Sequence, residues 1–206
     1  MSFPIGVTSV LSGASISQLH RWRRTDLLVP EINAKRPPLY SFRDVVALRT
    51  VVRLRANTSL QKIRQAFGRL PEYDLTEHVS SYMFAVRGSS IAVQTDEGWL
   101  DLVKNPGNFE LYTLADIYAP FVTKQGTQVE DFRHPRPHLE VDARRAGGWP
   151  VLENTRIGYD VIASAVDNKT LHPEQVSRFY PGVSTAAARD AISFDSEVRQ
   201  RIGKAA

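Results

Sequence analysis

The chain has 206 residues, no cysteine and a formal net charge of +4. That length suits about one or two domains, and the missing thiols exclude disulfides and any cysteine metal site. No apolar run reaches the roughly 18 residues of a membrane span, and the opening Met-Ser-Phe-Pro-Ile-Gly lacks the basic and apolar regions of a signal peptide, which points to the cytoplasm.

The charge is unevenly placed. Residues 1–72 carry 12 Lys/Arg against 4 Asp/Glu, while residues 73–126 carry 3 against 7 and residues 127–206 carry 11 against 11. Three segments follow from this division: a basic head over 1–72, a connecting region over 73–126 and a tail over 127–206.

The head reads as short helices. Ile5 to Gly13 suits a first helix and a turn. Ser15-Ile-Ser-Gln18 then forms a capping box opening a basic helix. Ile16, Leu19 and part of Trp22 would be buried, with Ser17, Gln18, Arg21 and Arg24 on the other face. Taken alone, such a helix reads equally as an ordinary solvated one. Residues 30–40 hold Pro37-Pro38 and cannot be helical, so they suit a loop or small β-wing. Ser41 and Asp44 begin a helix running through Leu54, Asp44 suiting the positive end of its dipole. Thr58 with Gln61 predicts the cap of another, whose Leu60, Ile63, Ala66, Phe67 and Leu70 share one face.

Beyond Pro71 the pattern changes. Tyr82 to Val86 and Ile91 to Gln94 are strand-like runs about Arg-Gly-Ser-Ser. Asp96-Glu97-Gly98 and Asn105-Pro-Gly-Asn108 are further turns, giving an antiparallel meander with a short helix near 114–118. Lys124-Gln-Gly-Thr-Gln suits a boundary. In the tail, His134-Pro-Arg-Pro-His138 must be extended. Leu139-Glu-Val-Asp is a short strand, Gly147-Gly148 before Trp149-Pro150 suggests a tight turn, and helices follow over about 159–166, 173–179 and 185–202. Pro173 suits a first helical position and Ser184 an N-cap. The fold class is therefore α+β.

The order of elements in the head resembles the winged helix-turn-helix of MerR-type regulators over about residues 4–70. The residues carrying this are the Gly13 turn, Leu19 and Trp22, Leu27-Leu28, Tyr40-Ser41, Asp44 and the helix from Ser59-Leu60 to Ile63. The resemblance implies a second helix in the major groove of operator DNA and a wing on its backbone. Gln18, Arg21 and Ser17 would read bases, while Arg23, Arg24, Lys35, Arg36 and Arg43 would hold phosphates. Ser15, Trp22 and Tyr40 complete the expected DNA-binding set. His20 stands where the family has arginine, and Pro38 where its wing is basic. No long dimerisation helix follows residue 70.

The tail is similar to a three-helix, homeodomain-like family of unknown biochemical function that recurs in antitoxins. Gly148, Pro150-Val151, Thr155-Arg156-Ile157, Pro173-Glu174, Tyr180-Pro181 and Asp190-Ala191 carry the likeness over about 137–199. Asn154 replaces the usual glycine and Phe194 the usual tyrosine. Head and tail together resemble VapB-type antitoxins of VapBC modules. That resemblance implies a homodimer that represses its own operon and neutralises a PIN-domain ribonuclease toxin, with Arg199 or Arg201 as the expected contacts.

Candidate catalytic groups are sparse. Prolines 135 and 137 keep His134 and His138 off a helix, so their spacing does not make a metal site. No phosphate-binding Gly-rich loop and no nucleophile elbow occurs. His172 suits a helix cap, and Trp99 and Trp149 suit core or interface anchors. The expectation is a protein without catalysis, metal or cofactor. The alternative is a stand-alone MerR-like regulator whose middle region binds an effector.

Overall fold

A computed structural model describes residues 1–87, 90–103, 110–167 and 171–205. The expected α+β class is observed. Strand β1 (Phe3–Pro4) leads directly into helix α1 (Ile5–Ser12) and pairs antiparallel with β2 (Leu39–Tyr40), Phe3 opposite Tyr40. Gly13, at φ +79°, ends α1 in the left-handed conformation that glycine adopts without steric cost. Helix α2 (Ile16–Arg24) follows, then the loop of residues 25–38 leading to β2, and helices α3 (Phe42–Asn57) and α4 (Leu60–Arg69).

Local chemistry explains the helix starts. Ser41 accepts a hydrogen bond from the Asp44 amide while the Asp44 carboxylate accepts from the Ser41 amide. This is a capping box in which the acidic residue also meets the dipole. For α4 the expectation needs correction. Ser59, not Thr58, is the cap, accepting from the Lys62 amide at 3.3 Å. The Thr58 hydroxyl is instead buried at the end of α3.

In the middle region β3 (Phe84–Arg87), β4 (Ser90–Thr95), β5 (Gly98–Asp101) and β6 (Glu110–Tyr112) form an antiparallel sheet in the order β5-β4-β3-β6. The expected Asp96-Glu97-Gly98 turn joins β4 to β5. The Arg-Gly-Ser-Ser turn falls partly outside the described residues and Asn105-Pro-Gly-Asn108 wholly outside. Helix α5 (Leu114–Tyr118) stands where expected. Lys124-Gln-Gly-Thr-Gln, read from sequence as a boundary, forms the turn of a hairpin made by β7 (Phe121–Val122) and β8 (Gln128–Val129).

The tail holds the pair β9 (Leu139–Glu140) and β10 (Val151–Leu152), then α6 (Tyr159–Asp167), α7 (Val176–Phe179) and the long α8 (Thr185–Gly203). Gly147 and Gly148 have φ of +60° and +84°, the predicted tight turn. Ser184 caps α8 through the Ala187 amide.

Head and tail share one core. Helix α1 lies between α3 and α8, which is why every residue from Gly6 to Ser12 is buried. Gly6 permits the close approach: a Cβ there would sit 2.9 Å from Ile202 Cδ1 and 3.0 Å from Val198 Cγ1. The buried hydroxyls of Ser9 and Ser12 each donate to a main-chain carbonyl at 2.6 Å, so they carry no unmet polarity. Aromatic rings continue the connection, with Phe42, Phe3, Trp149, Tyr159 and Phe194 in successive contact at centroid distances of 4.7 to 6.3 Å.

Arg49 ties the segments together from α3. It is 1 % exposed. Its guanidinium donates to the carbonyls of Leu11 at 2.7 Å, Ile117 at 2.6 Å, Tyr118 and Ala119 at 3.0 Å, and Glu130 at 2.6 Å. Burial pulls its pKa down to about 10, still well above neutrality.

Candidate nucleic-acid interface

Helix α2 divides by face as its sequence requires. Ile16, Leu19 and Trp22 fall at i, i+3 and i+6 and are buried. Ser17, His20, Arg21 and Arg24 are exposed. The predicted capping box is present: Ser15 Oγ accepts from the Gln18 amide at 3.2 Å, and Gln18 Oε1 accepts from the Ser15 amide at 2.8 Å. Gln18 is therefore half-buried, with its carbonyl oxygen engaged in the cap; its amide nitrogen carries the donors left for a partner.

The segment of residues 30–40 leaves the body beside the other end of α2. Asn33 and Leu39 exchange main-chain hydrogen bonds at 2.9 and 3.0 Å, forming a small wing continuous with β2. Asn33 also accepts from the Lys35 amide and donates to the Pro37 carbonyl. Arg23 donates to the carbonyls of Ala34 and Lys35, so one basic side chain fixes the wing to α2. Lys35 and Arg36 are left exposed at the wing tip.

Below the wing, the buried Asp44 carboxylate accepts from the Glu31 and Ser41 amides and meets His78 Nε2 at 3.2 Å. Glu31 in turn accepts from Ser41 Oγ and Arg43. The ligand-type atoms of Glu31, Asp44 and His78 lie within 4.8 Å of one another. The internal bonds just named engage these side chains as a bracket between wing, α3 and middle region.

The electrostatics match this grouping. Burial lowers the pKa of His20, and the positive charges of Arg23, Arg36 and Arg24 lower it further. His20 thus sits among three cations drawn from both α2 and the wing. Arg21, Arg24, Lys35 and Arg36 form no ion pair among the described residues.

Two residues of the expected DNA-binding set are corrected. Trp22 and Tyr40 are each 1 % exposed and belong to the core, where the apolar mass of each ring has been removed from water. Burial pushes the Tyr40 hydroxyl up to about 12. Of the remaining set, Ser17, Arg21 and Arg24 are exposed on α2, Lys35 and Arg36 are exposed on the wing, Arg23 is bonded to the wing carbonyls, and Ser15 and Gln18 are engaged in the cap at the start of α2. Arg43 is exposed but pairs with Glu31 at 2.7 Å.

The proposed toxin-binding arginines are engaged within the tail. Arg199 pairs with Asp167 at 2.9 Å and Asp195 at 2.6 Å, and Arg201 pairs with Glu197 at 3.1 Å. His138 bonds Asp190 at 2.7 Å, docking the proline-rich segment on α8. Trp149 donates to Asp160 at 2.8 Å and is an anchor of the shared core. Sequence reasoning missed Lys124, which the β7–β8 turn brings to the cleft shared with Gly13, Gln18 and Arg55. No local motif signals that long-range approach.

No helix among the described residues is long and apolar enough to cross a membrane. The MerR HTH family of regulatory proteins matches residues 3–70, and a protein family of unknown function, DUF433, matches residues 139–194. Neither the curated proteins nor the solved structures contain a match to the chain. The geometry of α1, α2 and the wing, together with these matches, shows a chain that carries a MerR-family helix-turn-helix domain at its N-terminus and a DUF433 domain at its C-terminus.

Proposed function

We propose that this protein is the antitoxin and autorepressor of a type II toxin–antitoxin module, acting without catalysis in the cytoplasm. The observation that carries the DNA-binding half is Arg21 and Arg24 on α2, exposed and in no ion pair among the described residues, beside the wing that presents Lys35 and Arg36. Such a helix suits the major groove and such a wing the phosphate backbone. A homodimer on a pseudo-palindromic operator is the arrangement that serves this geometry. The antitoxin half is supported by the joining of this head to a DUF433 tail. The tail, through Arg199 or Arg201, would block the acidic centre of a PIN-domain ribonuclease.

The first test is a mobility shift on the promoter of the protein's own gene. Wild type should bind, and Arg21→Ala with Arg24→Ala should weaken it and lower the salt slope by about 1, the share of the phosphate-contacting Arg24. Unchanged affinity and slope would remove α2 from the interface. The second test is co-expression with the product of the neighbouring gene, where absence of both growth rescue and co-purification would end the antitoxin assignment. A cavity of about 250 Å³ between α3 and the middle region, lined by Thr50, Tyr82, Phe84 and Ile117, favours a second reading as an effector-responsive regulator. In that case a small ligand, and no toxin, would change DNA affinity.

A further inference from the structure

The wing covers only one end of α2. At the other end, two elements from outside the helix-turn-helix close in. The β7–β8 hairpin packs on the turn itself, because Val129 fills the space a Cβ at Gly13 would need. The hairpin's Lys124 and Gln125 share a cleft with Gln18 and Arg55. On the adjoining side, a groove of about 390 Å³ lies between the start of α2 and the last turns of α8. Ser15 and Ser17 form one wall, Gln200, Arg201 and Lys204 the other, and Thr127 of the hairpin its end.

The chemistry of this edge is that of a polyanion contact. Lys124, Gln125, Thr127, Gln200 and Lys204 are all exposed. Among the described residues the groove's one carboxylate, Glu197, is held by Arg136 at 2.8 Å and Arg201 at 3.1 Å, so it offers no free negative charge. Among the described residues Lys204 forms no ion pair, and Lys124 reaches only the Thr58 carbonyl, at 3.5 Å. Donors of this kind contact phosphates and fix register without reading sequence.

We infer that the β7–β8 hairpin and the end of α8 act as a second wing, docking the DNA backbone on the side of α2 opposite the first. This rests on the DNA-binding reading above. It assigns Lys124 and Lys204 as the charged phosphate contacts, with Thr127 and Gln200 as neutral donors.

The test compares wild type, Lys124→Ala with Lys204→Ala, Arg21→Ala with Arg24→Ala, and Arg156→Ala with Arg178→Ala as a charge-matched control at exposed tail positions. All are measured on promoter DNA over a salt series, with thermal midpoints confirming the fold. Losing two phosphate contacts should lower the salt slope by about 2 and weaken binding about thirtyfold near 0.15 M salt, taking about 0.9 per contact and a 1 M reference. The tail control should change neither. An unchanged slope for the lysine pair, while the arginine pair still weakens binding, overturns the second wing and leaves the reading of α2 intact. Loss of co-purification with the neighbouring gene product, with DNA affinity unchanged, would also overturn it by making this edge a protein contact. No affinity of wild type for promoter DNA would overturn both.

Discussion

Replacing Arg49 by methionine keeps most of the side chain's length and removes its donors. Five carbonyls lose that partner, but not all are stranded. Tyr118 still accepts from the Phe132 amide at 2.8 Å. Glu130 is exposed and Ala119 partly so, and water can reach them. Leu11 and Ile117 are buried, so two acceptors are left dry. Each costs about 1–3 kcal/mol, so the two together cost about 4 kcal/mol. For a chain of this size about 2–4 °C follows each kcal/mol, placing the midpoint about 8–16 °C lower. Thermal unfolding followed by far-ultraviolet circular dichroism measures this directly. Arg49→Lys should fall between the two, since an ammonium keeps the charge with three donors on a single nitrogen. A methionine variant melting within about 2 °C of wild type would refute the view that these bonds hold the segments together.

Other substitutions test separate features. Gly148→Ala meets a left-handed backbone at φ +84° and a Cβ that overlaps the Phe42 ring, whereas Gly126→Ala at φ +77° meets open space. Urea unfolding should show a loss of about 1–2 kcal/mol for Gly126→Ala and distinctly more for Gly148→Ala; equal losses would argue against that interdomain contact. Ser15→Ala removes the α2 cap and should cost about 1 kcal/mol, a difference urea titration resolves. Burial alone would raise the Glu197 carboxyl, but hydrogen bonds from Arg136 and Arg201 outweigh it and hold its pKa below the ordinary 4.5. A carboxyl depressed in the folded state adds stability above the unfolded value, lost as pH falls through the folded one. Glu197→Gln should therefore be less stable near neutrality and lose less on acidification below about pH 4.5; an unchanged acid limb in pH-dependent melting would contradict this.

The features readable from sequence were those set by neighbours along the chain. Ser15 and Gln18, Ser41 and Asp44, and Ser184 sit at helix starts because each hydroxyl reaches an amide three residues on. Gly147-Gly148 marked its turn because that backbone disfavours a side chain. At α4, Thr58 and Ser59 offered adjacent hydroxyls, and only the three-dimensional path of the chain selected the second. The i, i+3, i+6 spacing placed Trp22 at least partly inward, whereas the burial of Tyr40 was hidden for a related reason: its ring could face either way locally, and tertiary packing turned it inward. Lys124, Lys204 and Arg49 draw their significance from partners far away in sequence, which no local periodicity encodes.

The position of α1 between α3 and α8 has a mechanical consequence. Packed helices lie about 8–10 Å apart. A single helix diameter therefore separates the tail from the scaffold that aims α2, and no linker absorbs displacement between them. Anything that tilts α8 must either tilt α1 with it or open the shared core at Gly6. The helix-turn-helix end is thus not an interchangeable cassette: excising residues 1–72 would strip α1 of its cover from α8 and expose Val10 and Leu11, an adhesive stripe that would require a replacement partner before the fragment could stand alone.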